Sequence, residues 1–94
     1  MSGINENSLD VNVLKAMADE IRMDILYLLK MEEMNVNDLA EQFDISRPTV
    51  SHHLQILKRA NLVYARKEGK EIYYSINIYA ITSLAEGLLR FISI

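Results

Sequence analysis
Two stretches with helix-like apolar spacing, NVNDLAEQF and the segment opening RPTVSHHLQIL, are separated by only the three residues Asp44, Ile45 and Ser46. So short a joint holds two helices against each other at a steep angle and makes them a helix-turn-helix. Both ends of the joint carry the right chemistry. Asn35 can cap the first helix, with Asp38 placed where a carboxylate favours the positive helix N-terminus, and Val36, Leu39, Ala40 and Phe43 form its buried stripe. Ser46 caps the second, and Pro48 falls in the first turn, where its missing N–H costs nothing. Val50, Leu54 and Leu57 repeat at i, i+4, i+7 with His53 at their edge, and Asn61 can take the left-handed conformation that ends a helix.

The flanks extend this unit. Residues 1–8 are polar and read as a loose tail, and residues 9–94 read as a single domain. Leu9, Val13, Leu14 and Met17 recur at helical spacing from Leu9 onward; Asp19 can then cap a second helix with Ile21, Ile25, Leu28 and Leu29 on one face. After Asn61 the apolar period changes to two. LVYAR and EIYYSI bracket KEGK, with Gly69 placed for a turn, and predict a β-hairpin with a basic tip. Asn77 can cap a last helix carrying Ile81, Leu84, Ala85, Leu88 and Ile92. The expected fold is mainly α with a small β-hairpin, a winged helix-turn-helix in the order α-α-α-α-β-β-α.

Composition narrows the function classes. The 94 residues contain no cysteine, so disulfides, thiolate metal sites and thiol redox switches are excluded. No apolar run approaches the roughly 20 residues that cross a bilayer, and MSGINENS lacks the pattern of a secretory signal. A cytoplasmic protein without membrane insertion is the expectation. The net charge is −3, but it is polarised. Residues 1–45 carry three bases against ten acids, a balance of −7. Residues 46–71 carry Arg47, Lys58, Arg59, Arg66, Lys67 and Lys70 against Glu68 and Glu71, a balance of +4. A solvated face would also look basic, so charge alone does not choose a nucleic-acid partner.

LKAMADEIRMDILYLL, VNDLAEQFDISRPTVSHHLQILKRANLV and RKEGKEIYYSIN together resemble the ArsR-type bacterial repressors, which are small winged helix-turn-helix homodimers. The likeness runs from about Leu14 to Asn77. Asn61 stands where that family commonly has glycine, and Glu20–Ile21 replaces a commoner Pro-Thr pair. The resemblance implies DNA contact by Arg47, Pro48, Ser51 and His52, and wing contacts to phosphate or the minor groove by Arg66, Lys67 and Lys70. It also implies dimerisation through the terminal helices. Family members that sense metals use thiolates on the third helix or histidines and carboxylates on the last. This chain has Asn35, Val36 and Asn37 at the first place and only Glu86 at the second, so the expectation is a branch that senses no metal.

The adjacent His52 and His53, the only histidines, do not make a chemical pair. Neighbours on a helix point about 100° apart and cannot chelate one ion or orient one nucleophile. With Val50, Leu54 and Leu57 inward, His53 lies at the edge of the buried face as a packing residue with one hydrogen bond. His52 points outward with Pro48, Thr49, Gln55 and Arg59, flanked by Ser51. Such short donors and acceptors suit base edges and phosphates. Lys58 and Arg59 are also favoured at a helix C-terminus for their charge alone.

The expected protein is therefore a sequence-specific transcriptional regulator, a homodimeric repressor or autorepressor of a pseudo-palindromic operator, and not an enzyme. Helix 46–60 would read DNA through Arg47, Pro48, Thr49, Ser51, His52 and Gln55, and the wing would grip through Arg66, Lys67 and Lys70. Leu9, Val13, Leu84, Leu88 and Phe91 are the dimer-interface candidates. No cofactor and no metal are expected; double-stranded DNA, a second copy of the chain and a regulatory protein are the candidate partners. The competing class is a protein-interaction module that works through the acidic first half.

Overall fold
The computed structural model describes residues 9–93, so the tail expected at residues 1–8 lies outside the described residues. The element order is α1 (Val11–Met17), α2 (Glu20–Met31), β1 (Met34–Asn35), α3 (Val36–Gln42), α4 (Arg47–Arg59), β2 (Val63–Glu68), β3 (Glu71–Ile76) and α5 (Ile78–Ile92). The predicted caps are in place. Asp19 accepts from the Arg22 N–H at 3.0 Å, Asn35 from Asp38 at 2.8 Å, Ser46 from Thr49 at 3.3 Å and Asn77 from Tyr79 at 3.2 Å. The core gathers Ile25 and Leu29 of α2, Leu39 of α3, Val50, Leu54 and Leu57 of α4, and Leu62 and Tyr74 of the sheet region.

Three boundaries differ from the sequence reading. The first helix starts at Val11 and not Leu9, because Asp10 accepts from the N–H groups of both Asn12 and Val13 and so becomes the cap. The wing holds three strands, in the order β1-β3-β2 and all antiparallel. β1 is only two residues, paired Met34 to Tyr74 and Asn35 to Tyr73, too short to leave an alternating pattern. The hairpin also runs further than KEGK suggested. Lys67 pairs with Ile72 and Glu68 with Glu71, which leaves Gly69 and Lys70 as a two-residue turn with Gly69 at φ 62°.

The end of α4 is closed by a pair of hydrogen bonds around Asn61, the non-glycine residue at positive φ (61°) among those described. The Asn61 N–H donates to the Lys58 carbonyl at 3.0 Å and the Leu62 N–H to the Leu57 carbonyl at 2.9 Å. This is the Schellman arrangement, with its usual apolar contact partners Leu57 and Leu62 both fully buried. Asn77 clasps the turn from the far end of the hairpin, donating Nδ2 to the Asn61 carbonyl at 2.7 Å. α4, the hairpin and α5 are thereby fixed to one another at a single point.

Of the residues expected at a dimer interface, Val13 (5% exposed) and Leu84 (9%) are already covered inside the protomer. Both pack at the α1–α5 contact within one chain. Leu9 is half-buried and lies close to Gly87, where an added β-carbon would meet the Leu9 side chain at 2.9 Å. Leu88 (41%) and Phe91 (66%) stay exposed.

Candidate nucleic-acid interface
The geometry of α4 separates its residues as the spacing predicts. Val50, His53, Leu54 and Leu57 are buried, while Arg47, Pro48, Thr49, His52 and Gln55 are exposed and Ser51 is half-buried. Apart from exposed Pro48, the outer face from Arg47 to Arg59 contains one apolar residue at its border, half-buried Ile56, and no carboxylate. Thr49 is partly engaged, since its hydroxyl shares a 2.9 Å hydrogen bond with the Ser46 hydroxyl. It serves the helix start as well as the surface.

His53 takes a structural post. Its Nδ1 lies 3.2 Å from the Arg22 guanidinium and 3.9 Å from the Asp19 carboxylate. A guanidinium can only donate, so Nδ1 accepts and the ring of the neutral histidine carries its proton on Nε2. Arg22 also donates to the Ala16 carbonyl at 2.6 Å and the Lys15 carbonyl at 3.4 Å. One side chain thus ties the end of α1 and the start of α2 to the middle of α4. The Asp19 carboxyl titrates below its ordinary value, chiefly because it accepts the Arg22 backbone N–H, with the Arg22 charge adding to the effect.

The wing packs along one flank of α4. A groove of about 310 Å³ is lined by Arg47, Ser51 and Gln55 of the helix, by Lys70, Glu71, Ile72 and Tyr74 of the hairpin, and by Val36 and Asn37 of α3. Three of the predicted helix residues and one of the wing residues therefore share one concave surface. Burial pushes the Tyr74 hydroxyl up from its usual value. Ile72 and Tyr74 escaped the sequence reading as site residues. Their spacing marks them as ordinary strand positions, and only the folding of the hairpin beside α4 brings them here.

Arg66 is engaged by carboxylates within the chain. Its guanidinium is 2.8 Å from Glu33 and 2.6 Å from Glu68, and it lies over the Tyr73 ring at 5.3 Å from the centroid. Two carboxylates more than answer its charge. The pairing holds the Glu33 carboxyl below its usual value and raises the guanidinium above its own. Strand alternation puts Arg66 and Tyr73 on the opposite face of the hairpin from Lys67 and Ile72. Arg66 braces the wing against the α2–β1 corner, while Lys67 and Lys70 are in no ion pair among the described residues. The Glu33–Arg66 pairing spans 33 positions, and no local pattern signals it.

Comparison with known proteins agrees with this architecture. Residues 19–65 match the family described as "Bacterial regulatory protein, arsR family". The transcriptional repressor SdpR of Bacillus subtilis (strain 168) is 44% identical over 82 residues, covering 87% of this chain and 91% of SdpR. A cadmium resistance transcriptional regulatory protein CadC homolog of Staphylococcus aureus is 41% identical over 83 residues, covering 86% of this chain and 69% of its own. Among solved structures, a possible transcriptional regulator for arsenical resistance superimposes with a TM-score of 0.78 at 34% identity, covering 85% of this chain and 83% of that one.

Proposed function
The chain belongs to the arsR family of bacterial regulatory proteins, DNA-binding transcriptional regulators and not enzymes, and on that premise we propose that it acts as a homodimeric repressor of a pseudo-palindromic operator. The observation that carries this reading is the outer face of α4. It presents Arg47, Pro48, Ser51, His52 and Gln55 free of carboxylates, beside a wing whose Lys67 and Lys70 are in no ion pair among the described residues. Short donors and acceptors would read base edges in the major groove, and the two lysines would hold the flanking backbone. Repression follows from occupying promoter DNA, and the site of action is the cytoplasm.

The dimer is supported by the way one stripe of α5 is used. Ile81, Leu84, Leu88 and Phe91 follow one another along a single face of the helix. Leu84 is covered by the protomer and Ile81 is half-buried; the last two are exposed, with Val11 of α1 also 55% exposed. A second copy docked there extends the same stripe across a two-fold axis and sets two recognition helices roughly 34 Å apart, one helical turn of DNA. This revises the interface to Val11, Leu88 and Phe91 with Leu9 at its edge. We further assign the chain to a metal-independent branch. It has no cysteine to supply a thiolate, and its last helix offers only Glu86 as a ligand of the metal-binding kind.

A mobility-shift assay on DNA from upstream of the protein's own gene tests the assignment, with sedimentation equilibrium alongside. A retarded complex resistant to random-sequence competitor, and a dimer that Phe91→Asp converts to monomer, are the expected results. Failure to shift any duplex, or a wild-type monomer at binding concentrations, would overturn it. Stoichiometric zinc retained in equilibrium dialysis would remove the metal-independent part. The reading as a protein-interaction module keeps one supporting feature, the exposed Met23, Tyr27 and Met31 on α2. It fits a regulatory protein partner acting on a DNA-binding dimer.

A further inference from the structure
The flank of α4 opposite the wing carries a second concave surface. A groove of about 390 Å³ between α1 and α4 is lined by Lys15, Arg22 and Arg59 over a floor that includes Ala16, Ile56 and Ala60. No carboxylate contributes to its lining, although the first 45 residues are strongly acidic. Among the described residues, none of the three cations forms an ion pair. Arg22 is held instead by uncharged acceptors, the Ala16 and Lys15 carbonyls and His53 Nδ1, so its guanidinium is fixed in place without a direct ion pair, the Asp19 carboxyl feeling its charge from beyond pairing distance. Lys15 and Arg59 are exposed and reach out from the two walls.

From this placement we propose that the α1–α4 groove seats a phosphate of the bound DNA backbone, on the side of the recognition helix away from the wing. The inference rests on the DNA-binding reading above. A helix lying in a major groove about 12 Å wide has a phosphate strand along each of its flanks. Lys67 and Lys70 of the wing serve one of them. On the other side Arg59 shares the outward face of α4 with His52, and Lys15 stands across the groove from it. Anchoring both flanks fixes the rotation of α4 about its own axis, and hence which side chains meet the bases. It also gives α1 a task in DNA binding beyond packing on α5. A phosphorylated small molecule offers the same chemistry, and the experiment separates the two sources.

Affinity for a short random-sequence duplex is measured by fluorescence anisotropy across a salt series, using the full chain. The variants are Lys15→Gln with Arg59→Gln, and Lys30→Gln, which removes a cation from the exposed side of α2. In the first, the slope of log affinity against log salt is expected to fall by about 0.9, the value for one neutralised phosphate. It should stay unchanged in the second, and Lys15→Arg should preserve it. An unchanged slope in the double variant, while the wild type binds DNA, overturns the proposal and leaves the repressor reading intact. An equal fall in Lys30→Gln overturns it too, since net charge would then explain the loss. Inorganic phosphate is also titrated into DNA-free protein at constant ionic strength. Saturable binding that disappears in the double variant, with DNA affinity unaltered, would assign the groove to a free anion instead. Wild-type protein that binds no duplex at all would sink the underlying reading.

Discussion

Replacing Asn61 tests how the recognition helix is aimed. Its φ of 61° places the residue in the left-handed region, where an ordinary β-carbon crowds the following carbonyl. Asparagine tolerates that crowding through its short polar side chain, glycine avoids it, and alanine bears it fully at about 1–2 kcal/mol. Asn61→Ala should therefore destabilise the protein by about 1–2 kcal/mol relative to Asn61→Gly. The hydrogen bonds to Lys58, Leu57 and Asn77 do not depend on the substituted side chain, because the turn makes all of them with backbone atoms. For a chain of this size a change of about 1 kcal/mol shifts the thermal midpoint by about 4–8 °C. Urea and thermal unfolding at one fixed protein concentration suffice, since a dimer's stability depends on concentration. If the alanine and glycine variants unfold together, the conformational account of the α4 terminus is wrong. A further consequence is functional: strain relieved by straightening the turn would move α4 relative to the wing, so Asn61→Ala should also weaken DNA binding.

Removing the charges of Lys67 and Lys70 should lower the salt slope of DNA binding by about 0.9 for each phosphate that is no longer neutralised. Arg66→Gln should lower it less, because Glu33 and Glu68 already answer that charge. Equal effects from all three would return Arg66 to the DNA-contacting set. Ser51→Ala and His52→Ala should reduce discrimination between operator variants by about 1–3 kcal/mol in competition binding; a weakening uniform over all sequences would make them backbone contacts. The Asp19 carboxyl is held below its ordinary value in the folded chain, so its charged form contributes stability above the unfolded-state pKa. That contribution disappears as pH falls through the depressed folded value, so stability should decline in acid below about pH 4. Asp19→Asn, which keeps a capping oxygen but no charge, should flatten that decline in urea melts taken at several pH values, and an unchanged acid limb would refute the assignment.

The helix-turn-helix was legible because its information is local. Caps act within three residues, and apolar spacing reports which face of a helix is buried before any partner is known. The separation of His52 from His53 belongs to that class, as does the left-handed Asn61, for both follow from residue type and helix geometry. The two-residue β1 was not legible, since Met34 and Asn35 extend the sheet only by pairing with Tyr74 and Tyr73, far along the chain. The exposed α4 residues could be named from the sequence, but not what surrounds them. Val13 and Leu84 carry the same apolar signature as Leu88 and Phe91, yet the fold covers the first pair and leaves the second outside.

Arg66 and Lys67 make the same division between neighbours. Both are cations on a predicted wing, and strand alternation alone says that they face opposite ways. Which face meets the acidic α2–β1 corner and which is free for DNA depends on how the hairpin packs, and that brings Glu33 to Arg66 across 33 positions. Lys15 is likewise an ordinary helix residue until α1 is laid beside α4. The elements, their caps and the inward or outward sense of each side chain can be read from residue order, because neighbours along the chain set them. Which charges are neutralised and which grooves exist cannot be read that way, because Coulomb partners and cavity walls come from residues that meet only on folding.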